Sequence, residues 1–359
     1  MVIQSAKIAN DRRPVVGNSN RVVGLGVVGI VTLVLSVKTG FRPIEVGTDY
    51  SRYYGHFELM REQGATLGHW EPGYELAAVL AGYSGASAET FFLLLAFGVF
   101  SLFLWGTWAL LGLTFASDHR KREVCFLLVT ALVLVWPFFW SGLTNAIRQG
   151  ISISVLLPAY YALYLRRYWT FSALVLAATS FHWPGLVFGG AGLAWRFMGW
   201  RWMLALVIGT AACYGAGLTG LFFLHLERFT SVGIYSTVID YGAGAGYRSG
   251  HRYDFLLFSI FPIVLWIWLW LLSSRAANDV RVLVGVYCAL LLPFLIFGFG
   301  AYSNRWALPA WQFMPVLFGG MFVSVLRANL ALASCVLIGF LCASAYAAWA
   351  LPTGWGDIL

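Results

Sequence analysis

The chain has 359 residues, 60% of them hydrophobic and only 11% charged, with a formal charge of +8. Soluble domains carry about 25% charged residues, so this balance excludes a soluble globular enzyme. No basic soluble segment is present that would bind nucleic acid.

In chain order, apolar stretches of helical length fall near 22–40, 73–84, 88–115, 124–141, 146–165, 170–195, 202–224, 254–272, 280–300, 306–325 and 328–350. Runs such as Ala88–Phe115 reach the roughly 20 apolar residues that a spanning helix needs. The 17 Trp and 17 Tyr suit anchoring at membrane–water interfaces. The expected fold class is an all-α polytopic integral membrane protein of about 10–11 mostly transmembrane helices.

Two segments depart from an ordinary span. Residues 73–84 are short, which predicts an interfacial or re-entrant helix. The 170–195 segment is broken at His182-Trp183-Pro184, where proline interrupts the helical hydrogen-bond ladder. It reads as two half-helices that enter and return, or as one kinked span. The organisation expected is a cytoplasmic tail over 1–21, a single transmembrane domain over 22–350 and a C-terminal tail over 351–359. Within the domain, outer-face segments lie near 41–72 and 225–253. Lys7, Arg12 and Arg13 ahead of Val22–Val37 resemble a signal peptide, but no A-x-A-like cleavage site follows. The first helix is therefore expected to be retained. Cys125, Cys213, Cys288, Cys335 and Cys342 lie in apolar segments without metal spacing and read as small core hydrophobes.

The cationic residues set the topology. With the N-terminus inside, 73–84 not crossing and 170–195 returning to its own side, 14 Lys and Arg collect inside and 9 outside, as the positive-inside rule asks. The outer arginines sit in polar, aromatic neighbourhoods and form several constellations. In the first, Arg42 precedes Gly47-Thr48-Asp49-Tyr50 and then Arg52, Tyr53 and Tyr54. A helix from Asp49 would place Asp49, Arg52 and Tyr53 on one face. This is either a solvated loop with a local Asp–Arg pair or a rim whose tyrosines stack on sugar rings.

Next, Trp70-Glu71-Pro72-Gly73-Tyr74-Glu75 carries a helix-start signal, with Pro suited to the first turn. Capping explains one of the two carboxylates; a pair is an acid/base or sugar-hydroxyl candidate. Asn145-Ala146-Ile147-Arg148-Gln149, followed by Ser152, leads an otherwise apolar helix. An ionisable residue there faces a cavity or bundle interior, or snorkels to the interface. His182 lies at the proline break, and such breaks line cavities or find protein partners. The stretch from Tyr241 to Tyr247 is glycine-rich and leads to Arg248, His251, Arg252 and Asp254, but it lacks the G-K-[ST] of a phosphate loop. Tyr302-Ser303-Asn304-Arg305-Trp306 marks a last helix boundary on the same side. Arginine's donor fork matches phosphate oxygens, so these clusters together point to an anionic, lipid-linked substrate.

Several of these pieces, in this order, resemble the EpsG family of bacterial polysaccharide polymerases, related to the Wzy O-antigen polymerases. They are Arg42 with Gly47-Thr48-Asp49-Tyr50 and Tyr53, Glu71-Pro72-Gly73-Tyr74, Asn145-Ala146-Ile147-Arg148-Gln149, Phe181-His182 and, more weakly, Asn304-Arg305. The resemblance implies a glycosyltransferase of the bacterial inner membrane that acts on its extracytoplasmic face. It would join polyprenyl-diphosphate-linked oligosaccharide repeats and release polyprenyl diphosphate. It implies no cofactor and no metal, membrane lipid as surroundings, and a chain-length regulator and a flippase of the same pathway as partners. Expected catalytic residues are Arg148, His182, Glu71, Asp49 and Arg305, with Arg148 foremost for the diphosphate. His182, Glu71 and Asp49 are alternatives for the general base. Arg42, Arg52, Tyr50, Tyr53, Tyr74, Asn145, Gln149, Arg248, Arg252, Tyr302 and Asn304 are expected to bind substrate. A lipid-linked oligosaccharide ligase would use the same donor. A transporter or flippase for lipid-linked sugars would show paired halves, and no internal repeat is visible in the sequence.

Overall fold

Among the described residues every regular element is helical, and some helices begin at capping residues that the sequence supplies. The structure, a computed structural model, describes residues 18–47, 49–63, 68, 70–230, 233–240, 250–300, 302–326 and 329–350. Arg248, the glycine-rich stretch and the two expected tails, apart from 18–21, lie outside the described residues. The helices run in chain order as α1 (Asn18–Gly40), α2 (Tyr50–Gln63), α3 (Pro72–Tyr83), α4 (Ala88–Thr114), α5 (His119–Leu134), α6 (Pro137–Thr144), α7 (Ile147–Tyr164) and α8 (Tyr168–Phe181). They continue as α9 (Gly185–Gly215), α10 (Leu218–Thr230), α11 (Ile234–Asp240), α12 (Tyr253–Leu272), α13 (Ser274–Asp279), α14 (Arg281–Phe297), α15 (Ser303–Leu326) and α16 (Leu330–Ala350). Ser87 accepts from Thr90 N to open α4, and Asp118 accepts from Lys121 N to open α5, each satisfying an otherwise orphaned amide. Pro72 and Pro137 begin α3 and α6, where the missing N–H costs nothing.

Among the described residues, α4, α12, α15 and α16 are long and apolar enough to cross a bilayer as single helices, and α9 reaches that length only across an interruption at Gly199. Together α5 and α6 form a broken span or a re-entrant loop: they meet at 64°, because Pro137 prevents the stretch expected over 124–141 from continuing as one helix. Part of α1 and the whole of α8 and α14 are shorter apolar helices. The chain is thus an all-α, multi-pass membrane protein. Its apolar residues face both ways: Leu257 and Leu271 on α12 are 73% and 71% exposed, as side chains are where lipid is the solvent.

The expected break at His182-Trp183-Pro184 separates α8 from α9. A second interruption falls in the gap expected between the stretches 170–195 and 202–224. Within α9, Gly199 adopts φ 76° and ψ 169°, a region open to glycine alone at little cost. The chain runs from Gly185 down to this point and then back, since Tyr214 Oη donates to Gly298 O at 2.9 Å near the end where α9 began. The stretches expected over 170–195 and 202–224 therefore become α8, a bent α9 and α10. The short helices α11 and α13 also lack a sequence signal. At the centre lies α15, 94% buried over its most apolar window. Trp136 Nε1 donates to Trp311 O at 2.7 Å, and Trp311 Nε1 donates to Ser259 Oγ at 2.7 Å. These bonds lock α15 to the α5–α6 break and to α12, so the polar edges of the large core rings are satisfied inside the bundle.

Candidate active site

At one end of the bundle the loop before α3, the start of α7 and the α8–α9 break converge. Gly73 is what lets them meet. A Cβ on Gly73 would lie 2.4 Å from Ser180 Oγ and 2.8 Å from Ser180 O, so only glycine allows α3 to begin directly against the last turn of α8. That contact carries Glu71, just before α3, onto His182, just after α8. His182 Nδ1 and Glu71 Oε1 are 3.1 Å apart. The second carboxylate oxygen, Oε2, pairs with Nη1 of Arg148 at the start of α7. One carboxylate thus holds both a guanidinium and an imidazole. The side chains of Arg148 and Glu71 are only 13% and 15% exposed, so the pair is largely shielded from bulk water.

Arg148 is held on its remaining sides by aromatic groups. Its Nε donates to Tyr53 Oη at 3.2 Å, and its guanidinium carbon lies 4.1 Å from the centroid of Trp70, an attractive cation–π geometry. Tyr53 and Trp70 stack with centroids 5.2 Å apart, and buried Tyr74 meets Tyr53 edge-on at 5.5 Å. Glu75, the second carboxylate of the motif, has a different task. It is buried, and it accepts from Trp70 N at 2.6 Å and Gly68 N at 3.0 Å. It fixes the segment that presents Trp70.

His182 sits in the non-helical break, outside the helical spans. Burial, with the positive charges of Arg148 and Arg305 nearby, pushes its imidazole down from 6.5 to about 3. A neutral imidazole beside a carboxylate donates through Nδ1, since an ionised Glu can only accept. Its Nε2 then keeps the lone pair. This is the arrangement that lets a carboxylate fix the tautomer of a histidine base.

A second ion pair joins the site from α15. Arg305 Nη2 lies 3.3 Å from Asp49 Oδ2, and its guanidinium carbon is 4.6 Å from the Tyr302 ring centroid. The backbone there is tied to α7, because buried Gln149 donates through Nε2 to Arg305 O. Asn304 Oδ1 accepts from Arg305 N at 3.0 Å. Beside these groups opens a cleft of about 620 Å³, counting space open to solvent, lined among others by His182, Trp183, Tyr302, Arg305 and Trp306. Thr237 and Val238 of α11 close its other side. These two lie in the outer-face segment expected near 225–253, but nothing in the sequence singled them out. Trp70 was legible only as the residue before Glu71-Pro72.

The remaining expected residues stand elsewhere. Arg42 is buried below the site, its guanidinium carbon 3.4 Å from the Tyr50 ring centroid and its Nε donating to Val46 O at 3.3 Å. Tyr50 is buried with it, so both hold the α1–α2 loop. Arg52 is on the exposed side of α2. Asn145 ends α6, its Oδ1 against Gly47. Arg252 pairs with Asp254 through two of its nitrogens and lies 3.8 Å over Phe255, away from the Glu71 group. Among the described residues no three His, Cys, Asp or Glu side chains gather as a metal-binding group.

No curated protein and no solved structure matches the chain. The model of the EpsG family matches residues 27–353, a stretch that takes in Arg148, Glu71, His182, Arg305 and every other described group of the site. With nearly the whole chain inside that match, the protein belongs to the EpsG family.

Proposed function

We propose that the protein polymerises polyprenyl-diphosphate-linked oligosaccharide repeats on the extracytoplasmic face of the bacterial inner membrane. The nascent glycan passes from its carrier to the end of a new lipid-linked repeat. Family membership supports the reaction class, and the observation that carries the reading to this site is the Glu71 carboxylate shared between Arg148 and His182.

In this reading an acceptor hydroxyl oxygen bonds to the anomeric carbon while that carbon's bond to the diphosphate breaks. The electron pair leaves on the diphosphate, and the hydroxyl proton goes to His182 Nε2. Glu71 holds the imidazole tautomer and stabilises the imidazolium that forms. Arg148 and Arg305 are oriented beforehand by Glu71 and Asp49, and donors fixed in advance stabilise charge as it develops without reorganising. The Tyr53–Trp70 stack and the Trp183–Trp306 pair, 5.9 Å apart, offer flat faces for sugars. Asn304 and Tyr302 stand at the cleft edge for sugar hydroxyls. Partners follow from the pathway: a flippase that delivers the repeat and a chain-length regulator.

Purified protein in lipid, given polyprenyl-diphosphate oligosaccharide, should yield a ladder of repeat-unit polymers and free polyprenyl diphosphate. Arg148→Ala should lower the rate by about 100- to 1,000-fold, the usual loss for one pre-oriented donor. Glycan moved to an unrelated acceptor would replace the proposal with a ligase, and repeats carried across the bilayer unlengthened would replace it with a transporter.

A further inference from the structure

The far end of the bundle carries a second pocket, about 870 Å³ counting space open to solvent and lined by Arg166, Arg196, Arg281, Tyr164, Trp195 and Trp200, with Gly199 at its rim. It lies at the opposite ends of α7 and α14 from the cleft: α7 starts beside Arg148 and finishes at Tyr164, while α14 starts at Arg281 and finishes near Gly298. The 18 residues of α7 span about 27 Å at 1.5 Å per residue, close to the roughly 30 Å of a bilayer's hydrocarbon. The two sites therefore face opposite membrane surfaces.

We propose that this pocket binds the phosphate group of an anionic membrane lipid. Three arginines from three separate connections converge on it, and among the described residues no carboxylate pairs with any of them. Arg196 Nε is buried without a hydrogen-bond partner, which leaves a donor unsatisfied until a ligand supplies an oxygen. Charge at a helix end is enough to orient a membrane protein, but that role does not require the charges to enclose a cavity walled by indoles. The backbone also departs from the ordinary to place them. Arg166 has φ 61° at the end of α7, where its N–H bonds to Leu163 O and that of Arg167 to Ala162 O. Glycine is usual at this helix-terminating position, yet the chain has arginine there.

The ligand's source is argued from the surroundings. Trp169, Phe197 and Trp202, on the same turns, are 91%, 75% and 68% exposed, the placement of aromatic groups at headgroup depth. Basic pockets between membrane helices take up phosphate headgroups in this way, and the guanidinium fork matches two phosphate oxygens at once.

The test uses the full-length protein in a zwitterionic detergent, with native mass spectrometry following binding of dioleoyl phosphatidylglycerol and, separately, dioleoyl phosphatidylcholine. Phosphatidylglycerol should bind about tenfold more tightly. The pair Arg196→Gln/Arg281→Gln should remove that preference, and Arg196→Lys, which keeps the charge but not the fork, should weaken it. Arg120→Gln/Arg275→Gln removes the same charge from exposed positions outside the pocket and should leave binding unchanged. Should the first pair fail to fold, the exposed Arg281→Gln alone carries the comparison. Millimolar inorganic phosphate that displaces the lipid would assign the same chemistry to a soluble phosphate compound; lipid retained against it confirms the headgroup. Equal loss from both glutamine pairs, or no preference between the two lipids, overturns the proposal.

Discussion

Replacing Glu71 by glutamine tests whether one carboxylate couples the arginine of α7 to the histidine of the α8–α9 break. Glutamine keeps the shape and removes the charge. Two interactions change together: the ion pair from Oε2 to Arg148 and the bond from Oε1 to His182 Nδ1, 3.1 Å long. An exposed ion pair contributes up to about 1 kcal/mol, and severing a fully buried one costs roughly 3–5 kcal/mol. At 13% and 15% exposure the pair lies nearer the buried case. Arg148 also retains Trp70 and Tyr53 after the change. The expected loss is about 2–3 kcal/mol, intermediate between those limits. The assay is reversible unfolding in mixed micelles of rising denaturing-detergent fraction for the parent, Glu71→Gln, Arg148→Met and the double variant. Because both singles break the same contact, the double variant should be less destabilised than their sum by at least about 1 kcal/mol. Additivity to within about 0.5 kcal/mol would mean that Glu71 and Arg148 act independently, and the reasoning from their shared geometry would fall.

Two further predictions follow from the same junction. The folded value of His182, about 3, lies below its ordinary 6.5, so the folded state binds fewer protons than the unfolded chain between those values; its contribution to stability is complete above pH 6.5 and is lost as pH falls toward 3. The acid-side slope of unfolding free energy should therefore flatten in His182→Gln, by up to about 1.4 kcal/mol per pH unit, and identical slopes in the two proteins would count against a neutral buried imidazole. Gly73→Ala should push α3 from α8, costing about 1–3 kcal/mol as an overpacked contact does and lowering polymer yield; Ser180→Ala should not rescue it, since Ser180 O also lies within 2.8 Å of the added carbon, and full rescue would show that the backbone contact is not the constraint.

Much of the fold was legible because a bilayer imposes one rule on the chain: backbone polar groups must be satisfied within each spanning segment. Long apolar runs such as Ala88–Thr114 and Tyr253–Leu272 can then only be helices, and the first begins where Ser87 offers a cap. The break at His182-Trp183-Pro184 was legible for the same reason, since proline removes a donor. The bend at Gly199 lies in the gap between the stretches expected over 170–195 and 202–224, where glycine takes a positive φ at little cost. The direction of α9 is set by what it packs on, α14 among them.

The site divides along the same line. Residue chemistry and spacing brought forward Glu71, Arg148, His182, Asp49 and Arg305 as polar groups at helix ends, where burying them needs a reason. Which of them touch could not be read, for Glu71 and His182 are 111 positions apart and Asp49 and Arg305 are 256 apart. Only packing decides such pairs: Gly73 against Ser180 puts the first together, and Gln149 holding Arg305 O steadies the second. Packing likewise separated residues that look equivalent in sequence. Arg42 is spent on the Tyr50 ring and loop carbonyls, Arg252 on Asp254, and Arg148 on Glu71 at the edge of the cleft. Composition determined that the protein lives in a membrane and carries arginines at its helix ends. The tertiary structure decided which partner each arginine takes, because a guanidinium's partner depends on the distances between helices, and those distances are set by the side chains that meet across them.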